Sequence, residues 1–457
     1  MSDFIDELRW RGRFHQATDE AGLRAHLAGG VRRGYIGFDP TADSLTVGNL
    51  TQIITLALFQ KAGHQPVVIA GGGTGLIGDP SGKTAERQLR TRDEVAANVE
   101  AQKRIFDRIL DFTPGKATSA LLMNNLDWLG GLSYLDALRD VGKHFSVNMM
   151  IQKDSVRERL HNRDQGISYT EFSYMILQAY DFLHLYEKHG VTLQMGGSDQ
   201  WGNIVAGTDL IRRVSGGSED APAKAFGLTT SLITKADGTK FGKTESGAIW
   251  LTANRAGEHS PNRTSPYEFY QFWLNTADAD VSRFLRTFTL LGRAEIEALE
   301  AAHAANPGAR EAHRALARHM TDLLHGATER EKAEGAARAL FSGDVRALDF
   351  DTLLQIVRTL PADKQGAPAP DHPAGIGALR AGGVRAQDLI AASGVCASNR
   401  EIKEGLAAGA FTIQGTPVTG PDQRFGPSDL AASAAGDAFI ALVRRGKKTW
   451  GSIVLRG

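Results

Sequence analysis

Short apolar runs that end abruptly in glycine and polar residues set the pattern of the first half of the chain. Tyr35-Ile36-Gly37-Phe38 runs into Asp39-Pro40-Thr41, and Val67-Val68-Ile69-Ala70 into Gly71-Gly72-Gly73-Thr74-Gly75. Leu121-Leu122-Met123 ends at Asn124-Asn125, and Thr192-Leu193-Gln194-Met195 at Gly196-Gly197-Ser198-Asp199-Gln200-Trp201. Each reads as a buried strand whose carboxyl end opens into a loop where backbone approaches another group closely. Between these runs lie stretches of helical period, such as 92–112. Ser168 and Glu171 match a capping box in front of an apolar-periodic run, so a helix begins there. Strands alternating with helices predict an α/β fold with a Rossmann-like, doubly wound parallel sheet, in which ligands bind at the carboxyl ends of the strands.

From about residue 265 the pattern becomes all-helical and stays so to roughly 340. Residues 366–370 and onward to Gly382-Gly383 are rich in Pro, Gly and Ala and read as a linker. A small mixed region follows and closes with the apolar run 438–443 and the basic cluster Arg444, Arg445, Lys447 and Lys448. The expected division is an α/β domain over 1–230, a loop-bearing connection over 231–256, a helical domain over 257–345, a linker over 346–385 and a small α+β domain over 386–457.

Several features carry candidate chemistry. The strand-to-helix turn that runs from Tyr35 through Thr41 to Thr46, Gly48 and Asn49 aims backbone N–H groups and a helix N-terminus at an anion. Lys240-Phe241-Gly242-Lys243-Thr244 places two lysines around a glycine, in a loop able to close over phosphates. On the helix that starts at 168, Tyr174, Gln178 and Asp181 share one face, either a solvated stripe or the wall of a polar pocket. Gly82-Lys83-Thr84 resembles the end of a P-loop, but only three residues separate Gly78 from Gly82 where the motif needs four. No Gly-x-Ser-x-Gly elbow occurs, and no His pair has zinc-site spacing.

Composition narrows the field. Cys396 is the single cysteine, which excludes a disulfide framework within the chain and any cysteine-cluster metal site. Lys+Arg and Asp+Glu both number 52, so a protein that coats nucleic acid is excluded, while a specific RNA partner needs local basic patches. No apolar run is long enough to span a bilayer and the N-terminus lacks a signal-peptide pattern; a cytoplasmic location is the expectation.

The segments 35–50, 73–83, 168–181, 196–203, 234–250 and 265–273 together resemble the class I aminoacyl-tRNA synthetases and, within them, the bacterial tyrosine-specific branch. The turn at 46–49 is similar to that class's first signature and 240–244 to its second. The C-terminal region resembles the branch's small RNA-binding domain, of a kind also found in a small-subunit ribosomal protein. The resemblance implies formation of tyrosyl-adenylate from tyrosine and ATP with Mg²⁺, transfer to the 3′-terminal adenosine of tRNA(Tyr), a homodimer, and no structural metal. It implies that Tyr35 and Asp181 bind the substrate phenol, and that Asp79, Tyr174 and Gln178 hold its α-amino group. Gln200 falls near the carboxylate. Asp39, Gly48, Gly197 and Asp199 fall on ATP, with Thr41, Thr46 and Asn49 toward the phosphates. Lys240 and Lys243, helped by Lys83 and Arg87, grip the pyrophosphate. Arg400, Lys403, Arg444, Arg445, Lys447 and Lys448 become candidate RNA contacts, as do Arg212 and Arg213, although such charges also suit a solvated face.

The chain departs from the usual pattern at Thr46 and Asn49, where the first signature commonly carries His, and at Ile36, where many relatives carry Cys. Phe241-Gly242 and Thr244 stand for Met-Ser and Ser in the second, and the helix at 398–404 is less basic than its counterparts. Two rivals follow: a tryptophan-specific relative, opposed by Asp181 with Tyr35, and a non-catalytic RNA-binding paralogue, opposed by both loop lysines with Asp79 and Gln200.

Overall fold

Six strands form the first sheet: β1 (Phe14–Ala17), β2 (Arg33–Phe38), β3 (Gln65–Ala70), β4 (Leu121–Asn124), β5 (Val191–Gly197) and β6 (Phe226–Thr230). Their order is β1-β6-β5-β2-β3-β4. The pairs β6–β5, β5–β2, β2–β3 and β3–β4 are parallel, and β1 closes one edge antiparallel to β6. The computed structural model describes residues 3–79, 89–153, 156–157, 167–216, 224–239, 241–244, 247–254, 260–369 and 371–457, with the backbone alone at 243 and 244.

Val67, Val68 and Ile69 are all buried on β3, as expected for a strand covered on both faces. The chain runs outward from β2 through β3 to β4, then returns to β2's other side through β5 and β6. The carboxyl ends of β2 and β5 therefore diverge, and a crevice opens between them.

The helices that flank this crevice start where their caps dictate. Thr91 and Glu94 form a reciprocal capping box before the Arg92–Ile109 helix, with N–H···O distances of 3.2 and 2.8 Å. Ser168 Oγ accepts the Glu171 N–H at 3.3 Å and starts the Tyr169–His189 helix. That helix ends at Gly190, whose left-handed φ of 62° a side chain would resist. The Val47–Lys61 helix buries Val47, Leu50, Ile53, Ile54, Leu56 and Phe59, so it is enclosed around most of its circumference.

The chain divides into two compact units, Met1–Arg263 with Thr276–Leu316 and Thr264–Asn275 with Ala317–Gly457. The expected helical run is present as Pro266–Leu274, Asp278–Phe288, Arg293–Ala305, Glu311–His325 and Ala327–Ser342, but its helices are shared between the units instead of forming one of their own.

The linker expected over 346–385 is corrected. This segment holds the Phe350–Thr359 helix, which buries Leu353, Ile356 and Val357. It also holds the strand Gln365–Gly366, parallel to Thr449–Arg456, and a helix over Ile376–Gly382. Ala374, Ile376 and Leu379 lie in the apolar core of the second unit with Phe411, Phe425 and Ile453. Among the described residues, the Pro, Gly and Ala content that suggested a linker is spread over a short strand, irregular backbone, turns and the Ile376–Gly382 helix. In the same unit Ala438–Arg445 pairs with Phe411–Ile413 and Thr449–Arg456, and residues 438–443 are buried at every position. Among the described residues no helix is long and apolar enough to cross a membrane.

Candidate active site

A cavity of about 680 Å³ lies at the crevice between β2 and β5. Thirteen residues singled out from the sequence line it: Tyr35 on β2 and Asp39 just after it; Thr41, Thr46, Gly48 and Asn49 in the turn and first helical residues; Asp79; Tyr174, Gln178 and Asp181 on one helix; and Gly197 at the end of β5 with Asp199 and Gln200 after it. The polar stripe at 174, 178 and 181 is therefore a pocket wall. Lys83, Arg87 and Lys240 lie outside the described residues, and Lys243 is described only by its backbone.

Asp181 lines the cavity and is only 4% exposed. Trp128 Nε1–H donates to one of its carboxylate oxygens at 2.7 Å and Asn125 Nδ2–H to the other at 2.9 Å. Asn125 in turn accepts the Gly73 N–H at 2.7 Å, so a loop after β3 and one after β4 both brace the carboxylate. Burial raises the Asp181 pKa from 3.8 to about 7 against these two donors, which lower it. Tyr35 points its hydroxyl into the same space; the oxygen is buried and has no hydrogen-bond partner among the described residues. Burial, and then the Asp181 charge, raises the Tyr35 pKa well above the ordinary 10, so the phenol keeps its proton.

The Asp181 shift has a stability consequence. A carboxyl whose folded pKa is raised favours folding at low pH, and that contribution is lost as pH rises through about 7. Ionising it inside the fold costs about 4 kcal/mol relative to the unfolded chain. Urea unfolding should thus show the native protein losing about 4 kcal/mol relative to Asp181→Asn between about pH 3 and pH 8, roughly 2.5 kcal/mol of it above pH 5. Parallel pH curves for the two proteins would contradict it.

A second network joins other residues of the lining. Gln200 Nε2–H donates to Asp79 Oδ2 at 2.9 Å, and Gln178 Nε2–H reaches Gln200 Oε1 at 3.4 Å. Tyr174, expected on an amino group, donates its hydroxyl to Asp39 Oδ2 at 3.0 Å, while Thr74 Oγ1–H donates to Asp39 Oδ1 at 2.8 Å. Burial raises the Asp199 pKa, with the Asp79 charge adding to it. A Cβ on Gly71 would lie 2.3 Å from Asp39 Oδ1, so only glycine lets the loop after β3 close on this carboxylate. Asn125, Trp128 and Thr74 were not foreseen; the one signal available was the polar Asn124-Asn125 pair at the end of a predicted strand.

The two signatures meet. The Val47 N–H donates to Ile249 O at 3.0 Å and the Leu251 N–H to Leu45 O at 2.8 Å, and Thr46 bridges Trp250. Gly242, with φ of 85°, packs so close that a Cβ would meet Val47 Cγ2 at 2.7 Å. Phe241 lines the cavity and stacks on Phe288 at 4.9 Å, which anchors the lysine loop to the Asp278–Phe288 helix. Thr46 and Asn49, the two departures in the first signature, are paired: Asn49 Oδ1 accepts from the Thr46 N–H at 3.0 Å and its hydroxyl at 2.9 Å. This pairing uses the amide oxygen of Asn49 and leaves its NH₂ as the donor for a ligand.

None of the candidate RNA contacts lines the cavity. Arg212 faces Asp209 at 3.5 Å, and Arg213 donates to the His144 carbonyl. In the second unit Lys403, Lys447 and Lys448 are exposed. Arg400 is paired with Glu404 at 2.8 Å and Arg445 with Glu401, while Arg444 lies over the Trp450 ring at 5.3 Å.

Comparison with known proteins agrees with this geometry. A family model described as class I tRNA synthetases (W and Y) matches residues 30–342. The tyrosine–tRNA ligase of Roseiflexus castenholzii is 47% identical over 98% of both chains. That of Streptomyces coelicolor is 44% identical over the full length of both. A C-terminally truncated mitochondrial tyrosyl-tRNA synthetase of Aspergillus nidulans superposes with a TM-score of 0.65 at 30% identity, covering 75% of this chain and 95% of its own.

Proposed function

The chain belongs to the class I tRNA synthetases of the W and Y family, and on that premise we propose that it is a tyrosine–tRNA ligase whose cavity residues bind tyrosine and ATP side by side. One observation carries the choice of amino acid. The Tyr35 hydroxyl, without a partner among the described residues, and the braced Asp181 carboxylate face one buried space, a donor and acceptor set that a phenol completes and a benzyl group leaves unsatisfied.

Tyrosine enters with its hydroxyl at Tyr35 and Asp181. Its ammonium group suits the acidic Asp79, beside Gln178 and Tyr174, and its carboxylate suits the amide of Gln200. ATP lies toward Gly48, Gly197 and Asp199, with its phosphates over the N-terminus of the Val47–Lys61 helix and the Asn49 amide. The substrate carboxylate is already a nucleophile. One of its oxygens bonds to the α-phosphorus as the bond from that phosphorus to pyrophosphate breaks, and no general base is needed. What the step requires is in-line placement and positive charge around the leaving group.

The described residues lining the cavity include the carboxylates of Asp39, Asp79, Asp181 and Asp199 and no lysine or arginine. Counter-charge for the phosphates thus falls to Mg²⁺, carried on ATP and water, and to Lys240, Lys243, Lys83 and Arg87. In the second step a ribose hydroxyl of the 3′-terminal adenosine of tRNA(Tyr) attacks the adenylate carbonyl, and AMP leaves.

The reading extends to assembly. Tyr134, Leu135, Leu138, Val147, Met149 and Ile151 are exposed within a short stretch of the first unit, a patch suited to a two-fold homodimer. A cytoplasmic location fits an enzyme of translation. Aminoacylation of tRNA(Tyr) tests the whole activity, with tRNA(Trp) uncharged under the same conditions as the expected control.

Every residue placed on the adenylate belongs to the first unit, and the basic cluster of 400–448 to the second. A chain ending at residue 361 should still form tyrosyl-adenylate while charging tRNA poorly at limiting tRNA. Replacing Arg444, Arg445, Lys447 and Lys448 together by Gln should reproduce part of that loss and reduce the salt slope of tRNA binding by about one per phosphate contact removed. Lys447 and Lys448 are expected to dominate, because Arg445 is already paired with Glu401. Undiminished charging by the shortened chain would remove the RNA-binding assignment.

A further inference from the structure

Asp278, His303 and His313 come together in the first unit, far from the cavity residues in sequence and unused by the reaction. They belong to three helices: Asp278–Phe288, Arg293–Ala305 and Glu311–His325. One donor atom of each lies within 4.8 Å of the others. We propose that these three side chains bind a divalent ion of the zinc class and so tie the three helices together.

The geometry favours an ion over a simple hydrogen-bonded cluster. His313 is fully buried; the Thr276 backbone bears on its ring, and neither ring nitrogen meets strict hydrogen-bonding geometry with a described residue. Its Nε2 stands 3.2 Å from Asp278 Oδ1. Two donors bound to one tetrahedral Zn²⁺ through bonds of about 2.0–2.2 Å sit about 3.3 Å apart, so this edge of a coordination site is already formed. His303 has the arrangement usual for a ligating histidine. Its Nε2 lies 3.2 Å from the Asp278 carbonyl oxygen, to which it donates, and its Nδ1 is buried without a partner among the described residues. A hydrogen bond at one ring nitrogen fixes the tautomer and leaves the other as the lone-pair donor.

The two rings meet edge to face at 5.4 Å, so a modest rotation of the less buried His303 brings its nitrogen to the ion. Asp278 is exposed and leaves the fourth position open to water. Two imidazoles and one carboxylate suit Zn²⁺ and Co²⁺ and not the oxygen-seeking Mg²⁺ or Ca²⁺. Separations of 25 and 10 residues match no zinc-motif spacing, so the expectation of no structural metal had nothing in the sequence to oppose it.

The test is titration of the untagged full chain, first freed of metal by a chelator, with CoCl₂ followed by ZnCl₂. The expected result is one Co²⁺ per chain with visible d–d absorption, displaced by Zn²⁺, together with a higher melting temperature in Zn²⁺ than in Mg²⁺. His303→Ala, at the rim of the cluster, should weaken Co²⁺ binding more than about 100-fold and Asp278→Asn about tenfold, since even partners outside the coordination sphere are worth about 10- to 100-fold. Both variants should retain the native circular dichroism spectrum and tyrosine-dependent exchange activity. No stoichiometric Co²⁺ absorption, or binding unchanged in His303→Ala, would overturn the site; the second outcome would assign the ion to other histidines.

Discussion

Asp181→Asn should lower the kcat/KM for tyrosine activation roughly 10- to 100-fold, the worth of a hydrogen bond to a charged acceptor. Tyr35→Phe should lower it less, about three- to tenfold, because it removes a neutral partner. Neither loss should be matched for phenylalanine, which never used these groups, so discrimination between the two amino acids narrows by the same factors. Tyrosine-specific synthetases are the standard case of such rejection, about 10⁵ without an editing step; that general figure, and not a value calculated from these distances, sets the expectation for the unmodified chain. Asp181→Asn carries the larger effect for a structural reason as well. An amide offers one acceptor oxygen where Trp128 and Asn125 both now donate, so one buried donor loses its partner. Steady-state exchange with both amino acids reads the two variants together. Equal losses for tyrosine and phenylalanine would mean a damaged pocket and not a lost phenol contact.

Lys240→Ala and Lys243→Ala should each slow adenylate formation by about 10²- to 10³-fold while tyrosine affinity stays essentially unchanged. Their charge is needed most as pyrophosphate departs, in a cavity whose described lining supplies four carboxylates and no cation. The backbone of their loop is fixed to the start of the Val47–Lys61 helix through Ile249, Leu251 and Gly242, so the substitutions should not unfold the loop's base. Single-turnover kinetics with saturating tyrosine and ATP separate the chemical step from binding. A matched loss of tyrosine affinity would assign the lysines to another task.

What the sequence made legible, and what it did not, follows from the range of the interactions. The strands β2 to β5 were readable because each is a continuous apolar run stopped by glycine or polar residues, a local signal. The Ser168 cap and the face shared by Tyr174, Gln178 and Asp181 are likewise properties of neighbouring residues. β1 and β6 were not recognised: Phe-His-Gln-Ala has no clear period, and its pairing depends on a partner some two hundred residues away. Trp128 and Asn125 could not be linked to Asp181 beforehand, because those hydrogen bonds span 53 and 56 residues. The segment 346–385 misled for the opposite reason. Its composition is that of a linker, and only tertiary packing reveals that Ile376 and Leu379 are core residues. The resemblance supplied the roles; the fold supplied the bracing that makes those roles physically possible.

The central claim is that this cavity activates tyrosine and no other amino acid, and ATP–pyrophosphate exchange tested with each amino acid in turn addresses it most directly. The account predicts rapid exchange with tyrosine, exchange with phenylalanine and tryptophan lower by several orders of magnitude, and none with the remainder. Exchange with tryptophan equal to that with tyrosine, or with phenylalanine within about tenfold of it, would contradict the assignment of Tyr35 and Asp181 to a phenol, since a site built to hydrogen-bond a hydroxyl rejects the analogue lacking it by about 10⁴ or more.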